Sequence, residues 1–238
     1  MAKPSGASGR RPPDPGRPHV WVLDTTEAWF ERLADAEVMS EQERVRAAAL
    51  GEEKTRRRLV ARRSVLRLIL GEYLSRAPGD VGIVTAPGGK PVLLPADMLG
   101  PTFAFSVAHS GDLFCVAVGT VSSVGLDVER LRAVPRARSI ASRWFAASEN
   151  ARLSGFADED VDVEFMRVWT AKEALAKRHG AGLRLMSGRE GELDVQGEER
   201  EGRLRVFSPA TGYAAAVASA EVIDQLDFVR PEEGSWII

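Results

Sequence analysis

The chain has 238 residues, 44% of them hydrophobic and 28% charged, which suits one large globular domain or two small ones at about 150 residues each. Its 32 basic and 34 acidic residues leave a net charge of −2, so whole-molecule attraction to nucleic acid or to a membrane surface is not expected. A single cysteine, Cys115, excludes an internal disulfide, and no apolar run approaches the ~18 residues that span a bilayer, so a cytoplasmic protein without membrane association is expected.

Residues 1–18 hold five prolines and three glycines and predict a flexible tail. Arg10-Arg11 is followed by Pro-Pro-Asp-Pro rather than by an apolar stretch, which rejects a twin-arginine export signal. A strand is expected at Val20–Asp24 and a helix from about Glu27 to Asp35. Ser40-Glu41-Gln42-Glu43 reads as a capping box at a helix start. From Glu52 to about Arg76, Leu59, Val60, Leu66, Ile69, Leu70 and Tyr73 recur at helical spacing, and Pro78-Gly79-Asp80 stops the helix.

Short β-branched or aromatic runs follow at Val81–Val84, Val92–Leu94, Phe103–Val107, Leu113–Val118 and Val124–Glu129. Helices are expected at Ala137–Phe145, Ser148–Leu153 with Ser148 as cap, and Val163–Arg178, the last ended by Gly180 and Gly182. Strands return at Leu204–Phe207, Tyr213–Ala218 and Leu226–Val229. Helices then strands, twice over, predict an α+β fold of two similar halves, residues 19–121 and 122–238.

Two segments carry chemistry. In Gly125-Leu126-Asp127-Val128-Glu129 the strand period puts Asp127 and Glu129 on one face, their Cα atoms ~7 Å apart. Like charges so placed invite a cation, and Mg2+ commonly binds through one or two carboxylates plus substrate phosphates. Two solvated acids at a strand end are the plainer alternative. In Trp169-Thr170-Ala171-Lys172-Glu173-Ala174-Leu175-Ala176-Lys177, Glu173 and Lys177 share a helix face; as a surface ion pair they would contribute only about 0.3–0.5 kcal/mol. Together, three acids and a lysine can supply a metal site, an activating carboxylate and a cation for phosphoryl oxygens.

At these residues the sequence resembles the surfactin-type 4′-phosphopantetheinyl transferases, whose signature joins Gly-x-Asp-x-Glu to Trp-x-x-Lys-Glu-x-x-x-Lys some 40 residues later. Further matches are Gly89-Lys90-Pro91, Phe105-Ser106-Val107-Ala108-His109-Ser110, Arg143-Trp144-Phe145 with Glu149, and Gly180-Ala181-Gly182-Leu183. The resemblance runs from about Ser40 to Phe207. It implies two α+β halves related by pseudo-twofold symmetry with the active site between them, the metal ligands lying in the second. It also implies Mg2+-dependent transfer of the phosphopantetheine arm of coenzyme A to a serine of an apo acyl or peptidyl/aryl carrier protein, releasing adenosine 3′,5′-bisphosphate. Mn2+ is an alternative ion.

Carried across, Asp127, Glu129 and Glu173 hold the metal, Glu173 is the candidate base, and Lys177 neutralises phosphoryl charge. Arg46, Arg58, Lys90, Ala108, His109, Asp127 and Lys177 contact coenzyme A, Ala108 through its backbone because it lacks the hydroxyl or amide of many relatives. Leu59 and Glu43 also depart from the family pattern. The remaining arginines between residues 44 and 67 are expected to form a solvated helix face. A monomer is expected, since two halves in one chain can build the whole cleft.

Other classes fare worse. The aromatics do not interleave with the basic run as in a nucleic-acid binder. There is no Gly-x-Ser-x-Gly elbow for a serine hydrolase, and Pro91 follows Gly88-Gly89-Lys90 where a P-loop needs a hydroxyl residue. A non-enzymatic carrier-binding adaptor on the same fold is the remaining alternative.

Overall fold

In the computed structural model the described residues are 9–97, 99, 102–180 and 195–231. The chain runs through β1 (His19–Asp24), the short helices α1 (Ala28–Arg32) and α2 (Glu41–Ala48), and α3 (Glu53–Leu74). A hairpin of β2 (Ile83–Thr85) and β3 (Pro91–Leu93) leads to β4 (Phe103–Ser110), β5 (Leu113–Thr120) and β6 (Val124–Arg130). Three helices follow, α4 (Ala137–Trp144), α5 (Ala147–Ser154) and α6 (Asp158–His179). The described chain closes with α7 (Val195–Arg200), β7 (Leu204–Phe207), β8 (Tyr213–Ser219) and β9 (Asp227–Val229). None of the described helices is long and apolar enough to cross a membrane.

One sheet has the order β4-β5-β1-β9, antiparallel except for the parallel β1–β9 pair, and the other is the antiparallel β6-β8-β7. The strand period of two sorts their side chains into layers. Trp21, Leu23, Phe105, Phe114 and Val116 face α3 and pack on Val65, Leu66, Ile69 and Leu70. Their neighbours Val20, Val22, Cys115 and Ala117 turn the other way and share a core with Leu126, Val128, Ala215 and Val217 of the second sheet. On that sheet's far side Ala216 and Ala218 meet Ala171, Ala174 and Leu175 of α6. The layers therefore run α3, sheet, sheet, α6, as the α+β expectation requires. β9 comes from late in the chain yet pairs with β1, so the first sheet takes its edge strand from beyond β8.

Two devices set the spacing around β6. Gly125 has no side chain because a Cβ there would lie 1.9 Å from the Ala174 carbonyl oxygen and 2.5 Å from the Arg178 nitrogen, so its absence lets α6 lie directly on the strand. At the edge where the sheets meet, Ser106 Oγ accepts from the Leu126 N–H (3.0 Å) and Ser110 Oγ from the Arg130 N–H (3.1 Å). These hydroxyls satisfy strand amides that β8 leaves free and fix β6 against β4.

Several local features differ from the sequence reading. α6 begins at Asp158 rather than Val163: its first turn, Asp158-Glu159-Asp160, lacks apolar periodicity but suits the positive end of the helix dipole. Ser148 is not the cap of α5; the Glu149 carboxylate accepts the Ala146 N–H at 2.8 Å. α7 lies in a stretch assigned no helix. Residues 9–18 are held rather than free: the Arg10 N–H donates to the Glu72 carbonyl (2.9 Å), Thr120 Oγ1 to the Pro13 carbonyl (2.6 Å) and the Asp224 N–H to the Gly16 carbonyl (2.8 Å). Residues 1–8 and Gly182 lie outside the described residues.

Candidate active site

A cleft of about 530 Å³ draws its lining from both halves. Asp127 reaches it from β6 and Glu173 and Lys177 from α6, while Arg46, Arg62 and Arg63 come from α2 and α3. Lys90, after the Gly88-Gly89 turn, and His109 and Ala108 on β4 complete the part that the sequence singled out. Arg58 and Glu129 are outside this lining.

On the second-half wall, alternation along β6 turns Asp127 toward α6, where Lys177 Nζ donates to Asp127 Oδ1 at 2.8 Å. Asp127 Oδ2 is buried with no partner. Burial pushes the Asp127 pKa up to about 7, outweighing the Lys177 ammonium, and the charges of Glu129 and Glu173 push the same way. Glu173 is raised as well, by burial first and then by Glu129, with Lys177 opposing. Glu129 itself accepts a hydrogen bond from Ser110 Oγ at 2.7 Å.

Among the described residues no three His, Cys, Asp or Glu side chains are gathered tightly enough to share a metal ion. The donor chemistry nevertheless fits a hard divalent cation: an orphaned carboxylate oxygen, with two further acids close enough to disfavour its ionisation.

Lys90 joins the walls. Its Nζ donates to the Val124 carbonyl at 2.6 Å and the Lys177 carbonyl at 3.0 Å, the latter one of the orphan acceptors at the end of α6. Burial, then the charge of Lys177, lowers its pKa to about 8. Gly180, at φ +70°, closes the helix with its N–H on the Lys177 carbonyl (3.2 Å).

The opposite wall is basic. Leu59, Arg62, Arg63 and Leu66 face the cleft at i, i+3, i+4 and i+7 of α3. Sequence reasoning left Arg62 and Arg63 on a solvated face; this spacing, applied to the arginines as well as the leucines, was the available signal. Arg67, from the same run, is buried: it donates to the Val81 carbonyl and to Glu43 Oε2 (2.8 Å). Glu43 completes the Ser40 capping box and sits 3.6 Å from Arg63, which accounts for an acid in this basic neighbourhood. His109 is open to solvent at the cleft yet crowded by its walls, and burial followed by Arg62, Lys177 and Arg63 holds its pKa well below the ordinary histidine value. Five cations line the cleft against two carboxylates, an imbalance suited to a ligand with several negative charges.

The profile of the 4′-phosphopantetheinyl transferase superfamily matches residues 123–220, which contain β6, Asp127, α6 and β8. The 4′-phosphopantetheinyl transferase HetI of Nostoc sp. is 36% identical over 172 residues, covering 69% of each chain. The chain belongs to the 4′-phosphopantetheinyl transferase superfamily. A putative 4′-phosphopantetheinyl transferase of Synechocystis sp. is 28% identical over 170 residues, or 70% of this chain and 66% of that one. The 4′-phosphopantetheinyl transferase psf-1 of Bacillus pumilus is 34% identical over 143 residues, 58% of this chain and 57% of its own. Membership makes the protein a transferase, of a superfamily that generally acts on carrier proteins with coenzyme A and a divalent metal ion.

Proposed function

We propose that this transferase moves the 4′-phosphopantetheine arm of coenzyme A onto the serine hydroxyl of an apo acyl or peptidyl/aryl carrier protein, releasing adenosine 3′,5′-bisphosphate. The observation that supports this best is the pairing, across one cleft, of the partly unsatisfied Asp127 carboxylate with an excess of cations. The ordered motifs and the similarity to psf-1 favour the surfactin-type branch of the superfamily.

Asp127, with Glu129 and Glu173, would hold the divalent ion, Mg2+ or Mn2+. Bound there, the ion supplies positive charge to the pyrophosphate oxygens and fixes their position. Glu173 takes the proton of the incoming serine at its carboxylate, directly or through one water, a task suited to an acid held above its usual range. Lys177 stabilises the charge that gathers on the bridging and leaving phosphate oxygens as the P–O bond to the adenylate side breaks. Its 2.8 Å bond to Asp127 keeps the ammonium beside that carboxylate. Lys90 holds the last turn of α6, and so Lys177, against β6. Arg46 and His109 line the cleft and would contact the phosphates of coenzyme A, and Arg58, outside the lining, would add its charge. The protein acts as a monomer on this reading, because one chain furnishes both walls.

The test is direct. Purified protein is mixed with coenzyme A, Mg2+ and an apo carrier protein, and the carrier is weighed by mass spectrometry. A gain of one phosphopantetheine arm on the carrier serine is expected. A carrier that binds without gaining mass would instead establish a non-enzymatic adaptor.

A further inference from the structure

β4 ends on Ser110, a hydroxyl that the transfer described above does not use. Ser110 Oγ accepts the Arg130 N–H at 3.1 Å and lies 2.7 Å from Glu129 Oε2. A carboxylate only accepts, so the single hydroxyl proton points at Glu129. One atom thus ties β4 to β6 and engages an acid assigned to the metal.

The hydroxyl is fixed before any ligand arrives. After it the chain turns through Gly111, at φ +55°, where a Cβ would lie 2.7 Å from the Tyr213 hydroxyl oxygen. That oxygen accepts the Asp112 N–H at 3.1 Å, and Thr25 donates to the Asp112 carbonyl through its N–H (2.7 Å) and its Oγ1 (3.0 Å). A turn held from both sheets leaves Ser110 little room to follow a moving partner. Ser106, four residues earlier on β4, makes the matching bond to the Leu126 N–H at 3.0 Å but bonds to no acid among the described residues. Pinning β6 therefore does not by itself require a proton aimed at a carboxylate.

Glu129 is outside the cleft lining, yet its charge raises the pKa of both Asp127 and Glu173, so it stands close to them. Its Oε1 has no hydrogen-bond partner among the described residues. With Oε2 engaged, the carboxylate keeps one oxygen for an ion and gives up rotamer freedom in advance. Hydrogen-bond partners of this kind orient a ligating carboxylate, and losing one typically weakens metal affinity roughly ten- to a hundredfold.

Resting on the metal-dependent transferase reading above, we propose that Ser110 is a positioning residue for Glu129. Its hydroxyl holds Oε2 so that Oε1 is presented to the divalent ion, and it sets the ion's affinity from outside the coenzyme cleft.

Mn2+ titration of the full chain with coenzyme A and without carrier, free Mn2+ being read by electron paramagnetic resonance, tests this without turnover. Ser110→Ala should weaken Mn2+ binding about tenfold or more, and Ser110→Thr, which restores the hydroxyl, should stay within about threefold of wild type. In a Glu129→Ala background, Ser110→Ala should add less than about twofold, because the acid it orients is gone. Metal-free binding of adenosine 3′,5′-bisphosphate should not change in Ser110→Ala, since Ser110 is outside the cleft lining. Should Ser110→Ala fail to fold, Ser110→Cys, of similar shape and a weaker donor, is read in the same way. Wild-type Mn2+ affinity in the Ser110→Ala protein, an equal loss with and without Glu129, a loss as large in Ser110→Thr, or a matching loss of metal-free bisphosphate binding would overturn the assignment. Absence of transfer to apo carrier would retire the transferase reading, while the Mn2+ affinities still decide the role of Ser110.

Discussion

Lys177 Nζ holds Asp127 Oδ1 at 2.8 Å while Asp127 Oδ2, a few ångströms away on the same carboxylate, is buried with no partner at all. An acid half paired and half orphaned is unfavourable in a static fold and useful in a site awaiting a cation. Glu149, paired with Lys172 through Oε2 and likewise without a partner at Oε1, shows the same pattern outside the cleft lining. What marks the second-half wall is therefore this pattern together with the place of Asp127 in the cleft beside Glu173 and Lys177.

Asp127→Asn and Glu173→Gln should each lower turnover by ~10² or more, the loss expected when one electrostatic stabiliser is removed. Both substitutions keep shape, and Asp127→Asn relieves a buried charge, so melting temperature should hold or rise. Near-normal transfer by either variant would remove that residue from the reaction.

Gly125→Ala should destabilise the protein by about 1–3 kcal/mol, the usual range for an overpacked interior. The added methyl would press on the backbone of Ala174 and Arg178 and lift α6 from β6. Denaturant unfolding gives the value. Gly155→Ala, with a negative φ and its nearest neighbour 3.4 Å from the new Cβ, should cost far less.

Lys172 stands beside Glu173 in sequence but faces the other way, bonded to Glu149 at 2.8 Å with both side chains about 2% exposed. It anchors α6 to the start of α5. Lys172→Met should therefore cost about 3–5 kcal/mol by leaving Glu149 charged in the interior, and adding Glu149→Gln should recover much of that. Unfolding of the two variants side by side checks the pair; an unaltered single variant would show that the buried charge is tolerated.

His109 gives the pH signature. An imidazole whose folded pKa is depressed takes up its proton in the unfolded chain first, so its contribution to stability is present above about pH 6.5 and drains away as pH falls toward the lowered folded value. Between about pH 7 and about pH 5, wild-type protein should lose more melting temperature than His109→Gln. A bound phosphate would reverse the local field, so adenosine 3′,5′-bisphosphate should draw in a proton near pH 6, read as a buffer-dependent binding enthalpy. A buffer-independent enthalpy would place the ligand's phosphates away from this ring.

Much of this was legible before any coordinates. Hydrophobic spacing located α3, and β-branched runs located β4, β5, β6 and β8, because those elements bury one face against a core and must repeat at its period. The motif residues Asp127, Glu173 and Lys177 meet at one wall for the same reason: strand alternation and helix periodicity were both readable. Arg62 was not found because an arginine run looks alike whether it faces water or a cleft, and only the fold reveals which arginines lack acids. Nor could sequence reveal that Lys90 serves two backbone carbonyls, since a helix end from the far half supplies one of them. The acidic opening of α6 was missed because its stabilisation comes from the helix dipole and not from an apolar stripe.

The central claim is that Asp127, Glu129 and Glu173 hold one divalent ion against the pyrophosphate of coenzyme A. Anomalous diffraction from crystals grown with Mn2+ and coenzyme A tests it most directly. The account predicts a single strong peak within about 2.2 Å of carboxylate oxygens from Asp127 and Glu173, with Glu129 turned toward it and Lys177 drawn off Asp127 onto phosphate. A metal peak away from these carboxylates in a crystal with coenzyme A bound, or coenzyme A seated with Asp127 still paired to Lys177 and no ion beside it, would contradict the account.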